Sequence, residues 1–218
     1  MAKRTETQNP EEENLENVVQ TAEATGGETE PQEAEQTAAD GAQDGGIRCM
    51  VSQVKDGETK VAETLDEGWD ADGVAIVSGD ETLLVVALTE QQTAFGGEES
   101  EDLEEDIPSP GMTSMDGEQR SAFLLEFYQR EDKSVPALVA CKDFGWLPSG
   151  GEMALIFAHK DAVNAKIAEL GGTAIGDGKY WTSQRFSNER MWHCDMSSGQ
   201  FGIALGTKSV AGVRAVKK

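Results

Sequence analysis

The chain has only two histidines and three cysteines in 218 residues. Cys49, Cys141 and Cys194 are far apart and odd in number, with no CxxC spacing. Neither a zinc site nor a disulfide framework can be read from them, and reduced thiols are expected. Long apolar runs are lacking too: none approaches the ~18 residues that a membrane-spanning helix requires. The opening MAKRTETQNP has a basic start but no apolar segment behind it. No secretory signal is therefore read, and synthesis in the cytoplasm is expected. The GxSxG, Walker and HExxH patterns are absent, and no repeat of ~20–50 residues is visible.

Basic residues are scarce as well: 18 Lys and Arg stand against 41 Asp and Glu, a net charge of −23. That balance argues against a nucleic-acid partner, whose phosphates reward Lys and Arg. Residues 1–46 contain no Ile, Phe, Trp or Tyr and set twelve acids against Lys3 and Arg4. Such a segment buries too little apolar surface to offset its ordering entropy, and a disordered acidic tail is expected. A second acidic run, GGEESEDLEED, opens an expected Pro-containing loop over 96–112. Both read as solvated, solubilising segments, with docking on a basic virion protein as the sharper alternative for the tail. The remaining ~170 residues suffice for one core.

That remainder reads as strands, then helices, then strands. IRCMVSQV puts Ile47, Cys49 and Val51 on one face. Runs 74–77 and 83–88 flank the turn SGDE as a hairpin, and TLLVVAL, apolar on both faces, predicts a covered strand. Phe123, Leu124, Phe127 and Tyr128 form a helical stripe, and Pro136 opens a short second helix. Ser149 and Glu152 have capping-box spacing before an apolar run. Val163, Ile167 and Leu170 continue the helical pattern up to Gly171-Gly172. MWHCDM alternates, with Trp192, Cys194 and Met196 inward and His193, Asp195 and Ser197 outward. Phe201, Ile203 and Leu205 share a face of its hairpin partner, and VAGVRAV predicts a final strand. Without βαβ alternation, the fold class is α+β with a mainly antiparallel sheet.

Chemistry is sparse. His193, Cys194 and Asp195 are adjacent, but neighbours on a strand point to opposite faces, so no local triad forms. His159 reads as a solvated helix-end residue. The acidic loop lacks an EF-hand pattern. The glycine-rich GGTAIGDG follows a helix rather than a strand, so it makes no phosphate cradle. No metal, no cofactor and no enzymatic activity are expected. The density of contact-making side chains lies instead in KYWTSQRFSNERMWHCDM, whose Gln184, Arg185, Asn188, Glu189 and Arg190 are too polar for a core. Recognition surfaces concentrate in such loops, with Trp and Arg as favoured anchors.

Trp146-Leu147-Pro148-Ser149, Glu152, Tyr180-Trp181, Ser183, Trp192, Gly199, Lys208 and Val213-Arg214 together resemble a known pattern. It is that of C-type-lectin-fold domains of the formylglycine-generating-enzyme-like branch, including the variable proteins of diversity-generating retroelements. The resemblance covers roughly residues 47–218. It implies a C-type lectin fold whose region 178–218 displays a ligand-binding surface, diversified or fixed, without catalysis or a calcium site. The implied contact positions are Thr182, Gln184, Arg185, Phe186, Ser187, Asn188, Glu189, Arg190, His193, Asp195, Ser198, Gln200 and Ala204. It further implies a phage- or prophage-encoded, virion-associated receptor-binding or adhesin-like protein with a protein or glycan ligand on a cell surface. A homo-oligomer is left open, since no heptads demand one.

Overall fold

The computed structural model describes residues 46–97, 113–187 and 189–218. Of the sequence expectations, the tail up to residue 45, the acidic loop from 98 to 112 and Asn188 lie outside them. The described chain is α+β: ten strands in two five-stranded sheets, with four helices between and beside them.

The first sheet begins with β1 (Ile47–Lys55), β2 (Glu58–Ala62), β3 (Asp70–Ser78) and β4 (Glu81–Val86). β1 and β2 turn through Asp56 and Gly57, both at positive φ. The β3–β4 hairpin forms around the expected turn, which contains Gly79 at φ 58°. Strand order is β10-β4-β3-β1-β2, all antiparallel. Cys49 and Val51 pair with Ile76 and Val74, so the alternation read in β1 does face a core.

The helices are α1 (Gly117–Arg130), α2 (Pro136–Val139), α3 (Gly150–Ala158) and α4 (Lys160–Glu169). Ser149 caps α3 as expected: its hydroxyl accepts from Glu152 N, and Glu152 accepts from Ser149 N at 2.8 Å. Met153 and Ile156 of α3, with Val163 and Ile167 of α4, pack on Val74, Ile76, Leu84 and Val86. In α1 the expected stripe is narrower than its sequence. Leu124, Phe127 and Tyr128 are buried, but Phe123 is half in solvent, stacked on Phe127. At i−1 from Leu124 it sits on the shoulder of the helix, past the reach of the core.

The second sheet holds β5 (Gln91–Ala94), β6 (Lys179–Arg185), β7 (Arg190–Asp195), β8 (Gln200–Leu205) and β9 (Val210–Val213), in the order β5-β9-β6-β7-β8. Its β6–β9 contact is parallel and its other pairs are antiparallel. The single final strand read from VAGVRAV is in fact two. β9 ends at Val213, the chain crosses between sheets at Arg214-Ala215, and β10 (Val216–Lys217) closes the first sheet against β4. A chain that passes from one sheet to another bends between its two ladders, here at Arg214-Ala215.

Arg214 occupies that bend. It is 1 % exposed. Its guanidinium donates to Ala87 O at 3.0 Å, Thr173 O at 2.7 Å and Glu90 Oε2 at 2.7 Å. Tyr180 OH donates to the same carboxylate oxygen at 2.6 Å and accepts from Gly176 N. Burial, then Glu90, push the Tyr180 phenol up to about 12, so it remains a donor. Removing one partner of such a buried ionic group strands the other without water. Arg214→Ala should therefore lower the unfolding free energy by ~3–5 kcal/mol in urea titrations. A loss below ~1 kcal/mol would show that this network is not the tie between the sheets.

Candidate functional site

The candidate residues hang on β6, β7 and β8. Two anchors fix β6 between helices. Trp181 is fully buried, donates from Nε1 to Thr93 O at 2.9 Å, and lies edge-on to Phe95. Its face also carries Met191 and packs on Leu124 and Tyr128 of α1. On the other face Tyr180 and Cys194 pack with Met153 and Ile156 of α3. Ser183 N donates to Pro148 O at 2.8 Å, which ties β6 to the segment that caps α3. Both faces of β6 are therefore covered.

This corrects part of the expected contact surface. Thr182, Gln184, Arg185 and His193 are buried, at 0, 0, 4 and 5 % exposure. Thr182, Gln184 and Arg185 direct polar atoms to local backbone groups. Thr182 Oγ1 donates to Trp192 O at 3.0 Å, and Gln184 Oε1 accepts from Gly150 N at 3.0 Å, at the first turn of α3. Arg185 Nε donates to Ser187 O at 3.3 Å. His193 stands opposite Trp181 across the β6–β7 pair, rings at 73°. Polar composition there satisfies backbone groups at helix and turn ends instead of facing a ligand.

The other expected positions are accessible, at two separate ends of β7. Phe186, Ser187, Glu189 and Arg190 are exposed in and beside the β6–β7 turn. Ser198 and Gln200 are exposed, and Asp195 half-buried, at the β7–β8 turn; Ala204 is half-buried on β8. The first turn is firmly laced. Phe186 N and Ser187 N donate to Arg190 O, Gly206 N donates to Glu189 O, and Phe95 N donates to Gly206 O. The β8–β9 turn, with Thr207, Lys208 and Ser209, is thereby held beside the β6–β7 turn. At the other end Ser197 donates from its hydroxyl and its N–H to Asp195, holding that carboxyl below its usual range. Gly199 there has φ 72°, and a Cβ would fall 2.4 Å from the Phe157 ring, so no larger residue fits.

The second correction concerns Trp192. Expected to point into the core, it is half-buried and belongs to none of the core clusters. Its ring meets Phe186 edge-on at 5.6 Å and 83°, and Phe186 is 52 % exposed. Register puts Trp192 opposite Ile203 and Arg190 opposite Leu205, so these four share one face of the β7–β8 pair, with Ile203 and Leu205 half-exposed. Alternation had assigned Trp192 the same face as Cys194, correctly. The helix that covers Cys194 does not reach the outer part of that face. Ile203, Leu205 and the β8–β9 turn were not among the expected contacts; the low polarity of QFGIAL was their only signal in the sequence.

The thiols are held protonated. Burial pushes the Cys141 thiol up to about 12, and burial with Asp195 pushes Cys194 up to about 11. Cys194 lies on the face opposite His193. Among the described residues no group of three His, Cys, Asp or Glu could hold a metal ion, and no helix is long and apolar enough to cross a membrane. Charge does distinguish the region: residues 179–218 carry seven Lys and Arg against Glu189 and Asp195.

Fold and site together define an α+β protein that presents an aromatic face with Arg190 at one end of its second sheet. No family model matches the chain, and no curated protein does. Among solved structures, a fimbrial protein from Bacteroides ovatus ATCC 8483 is similar at 15 % identity with a TM-score of 0.48. The alignment covers 63 % of this chain and 35 % of that one, so the chain spans about a third of that protein's length.

His193 provides a pH test of the packing. Burial, then Lys179, hold its imidazole below the ordinary 6.5, and Nδ1 has no partner. Asp195 and the Gly202 backbone pull the other way without reversing the shift. The folded state thus resists a proton that the unfolded chain accepts. This group's contribution is complete above pH 6.5 and shrinks as pH falls below it. Urea midpoints measured from about pH 7.5 to about pH 5.5 should fall more steeply for the native chain than for His193→Asn. Parallel curves would show that His193 is solvated.

Proposed function

We propose that residues 47–218 form a non-catalytic ligand-binding domain of the C-type-lectin type, a receptor-binding or adhesin-like component of phage or prophage origin. Its ligand is a protein or glycan on a cell surface. The observation that carries this reading is Trp192, a large aromatic outside the core clusters and half-buried, with Phe186, Arg190, Ile203 and Leu205 around it. Isolated exposed apolar residues are ordinary, but a contiguous aromatic patch with an arginine has the composition of an interaction anchor. Phe186, Ser187, Glu189 and Arg190 beside it are hydrogen-bonded to one another and to Gly206, which lowers the ordering cost of binding. The resemblance in WLPS, YW and VR supports the reading, since Ser149, Trp181 and Arg214 all act as internal ties.

The two tryptophans separate function from folding. Trp181→Ala should destabilise by ~3–5 kcal/mol, and Trp192→Ala by only about 1 kcal/mol. Binding of the labelled chain to bacterial cell panels and glycan arrays is then compared for the native protein, Trp192→Ala and Phe186→Ala. Loss of a reproducible signal in both folded variants is the expected result. Retention of full binding by Trp192→Ala, or a stability loss equal to that of Trp181→Ala, would overturn the proposal.

A further inference from the structure

We propose that the free edge of β8 pairs with the same edge of a second copy of this chain, antiparallel about a two-fold axis at Ile203, so that two sheets join into one of ten strands. The four outer strands of the domain differ in a way that points to this. β2 carries Glu58 and Lys60, with Lys60 held over Trp69 and against Asp66. β10 has two residues, of which Lys217 pairs with Asp72. β5 has four residues, is packed by α2, and its end is tied where Ala137 N donates to Phe95 O. Charge, shortness and cover are the usual protections of a sheet edge. β8, QFGIAL, has six residues, no charge, no proline, and among the described residues pairs only with β7. Alternate residues of such a strand point their N–H and C=O groups outward, where a further strand can pair, although Leu205 O already accepts from Ser209 N at 3.0 Å.

The occupant follows from symmetry. On a two-fold axis each side chain meets its own copy, so a charge meets a like charge, whereas an apolar residue meets an apolar one. With Ile203 on the axis, it faces the second copy's Ile203, and Phe201 faces the second copy's Leu205. All lie on the Trp192 face and are half-buried in the single chain, Phe201 being packed in part against the core. Residues that face each other across antiparallel strands must point to the same side, and this register satisfies that. Net charge would hold copies of a −23 chain apart. Around β8 it nearly cancels, because Lys179, Arg190 and Lys208 stand against Glu189 and Asp195. Pairing would also set two Trp192 patches on one face of the joined sheet.

Light scattering and sedimentation velocity of the full chain between about 1 and 100 μM should give the mass of a dimer at the upper end. Ile203→Lys and Leu205→Lys, both at half-exposed positions, should keep the circular dichroism of the native protein and weaken the dimer at least about tenfold. Val210→Lys, 65 % exposed and off this edge, should leave it unchanged. Two variants are used so that a folding defect in one does not decide the matter. A native chain that is monomeric throughout, or a dimer insensitive to both β8 substitutions, overturns the proposal. Neither result bears on Trp192 as a ligand contact, which the binding comparison reads by itself.

Discussion

A guanidinium out of water is the constraint around which this chain is arranged. Arg214 has to find acceptors inside the protein, and its two terminal nitrogens find them in three places: before β5 at Ala87 and Glu90, after α4 at Thr173, and through Glu90 with Tyr180 of β6. Its Nε has no partner, so the pairing with Glu90 and the two carbonyls has to offset the desolvation of the group. Few arrangements of the backbone provide that, so the cost of burial becomes selectivity for one of them. The consequence is visible in the crossing of the chain from β9 to β10. Ala87 N donates to Ala215 O, and Thr173 N donates to Leu88 O. The last strand is thereby delivered to the first sheet beside β4.

A second knot secures the other flank. Glu152 accepts from Ser149 N and from Trp146 Nε1, and Ser149 donates to Ser114 O at 2.6 Å. Space around the carboxylate is so tight that a Cβ on Gly117 would lie 2.1 Å from its oxygen. Burial raises the Glu152 pKa while these hydrogen bonds oppose it. Trp146 and Val216 exchange backbone hydrogen bonds, so this knot also grips β10. With β10, α3 and β6 fixed to one another, β7 is fixed by pairing with β6. Side-chain ties become sparse toward β8, whose flanking turns are held mainly by backbone hydrogen bonds. The gradient from pinned to open runs across the second sheet, one strand at a time.

Sequence patterns showed the local elements well because each has a short-range cause. The capping box placed the start of α3, Pro136 the start of α2, and alternation the core face of β1. The α+β class followed from their order. Three features were not legible, for one reason: they depend on what lies above a face, not on which face a residue takes. Period two placed Trp192 and Cys194 together, yet only Cys194 lies under α3. It placed His193 apart from them, yet α1 covers that side as well. Gln184 reads as a surface residue until the N-terminus of α3 is brought to it from 34 positions away. The split of VAGVRAV into β9 and β10 is likewise a long-range event, set by the acceptors that Arg214 meets.

The distribution of accessible residues narrows what the second sheet can present. Phe186, Ser187 and Glu189 lie beyond one end of β7 and Ser198 to Gln200 beyond the other, separated by a six-residue strand or ~20 Å. A compact ligand touches one group or the other. The face that links them is the strip of Trp192, Ile203 and Phe201, apolar and half-open, and its upper end carries Arg190. Apart from Gly199, which lies against Phe157, a substitution at an exposed turn position meets few packed neighbours, whereas one on β6 reaches Gly150 or Pro148 at once. Variation compatible with folding is therefore confined to the turns and the β7–β8 strip. Of these, only the end with Phe186 and Trp192 combines a large apolar area with fixed backbone geometry. An adaptable contact surface needs both: area for affinity, and a frame that a changed side chain does not move.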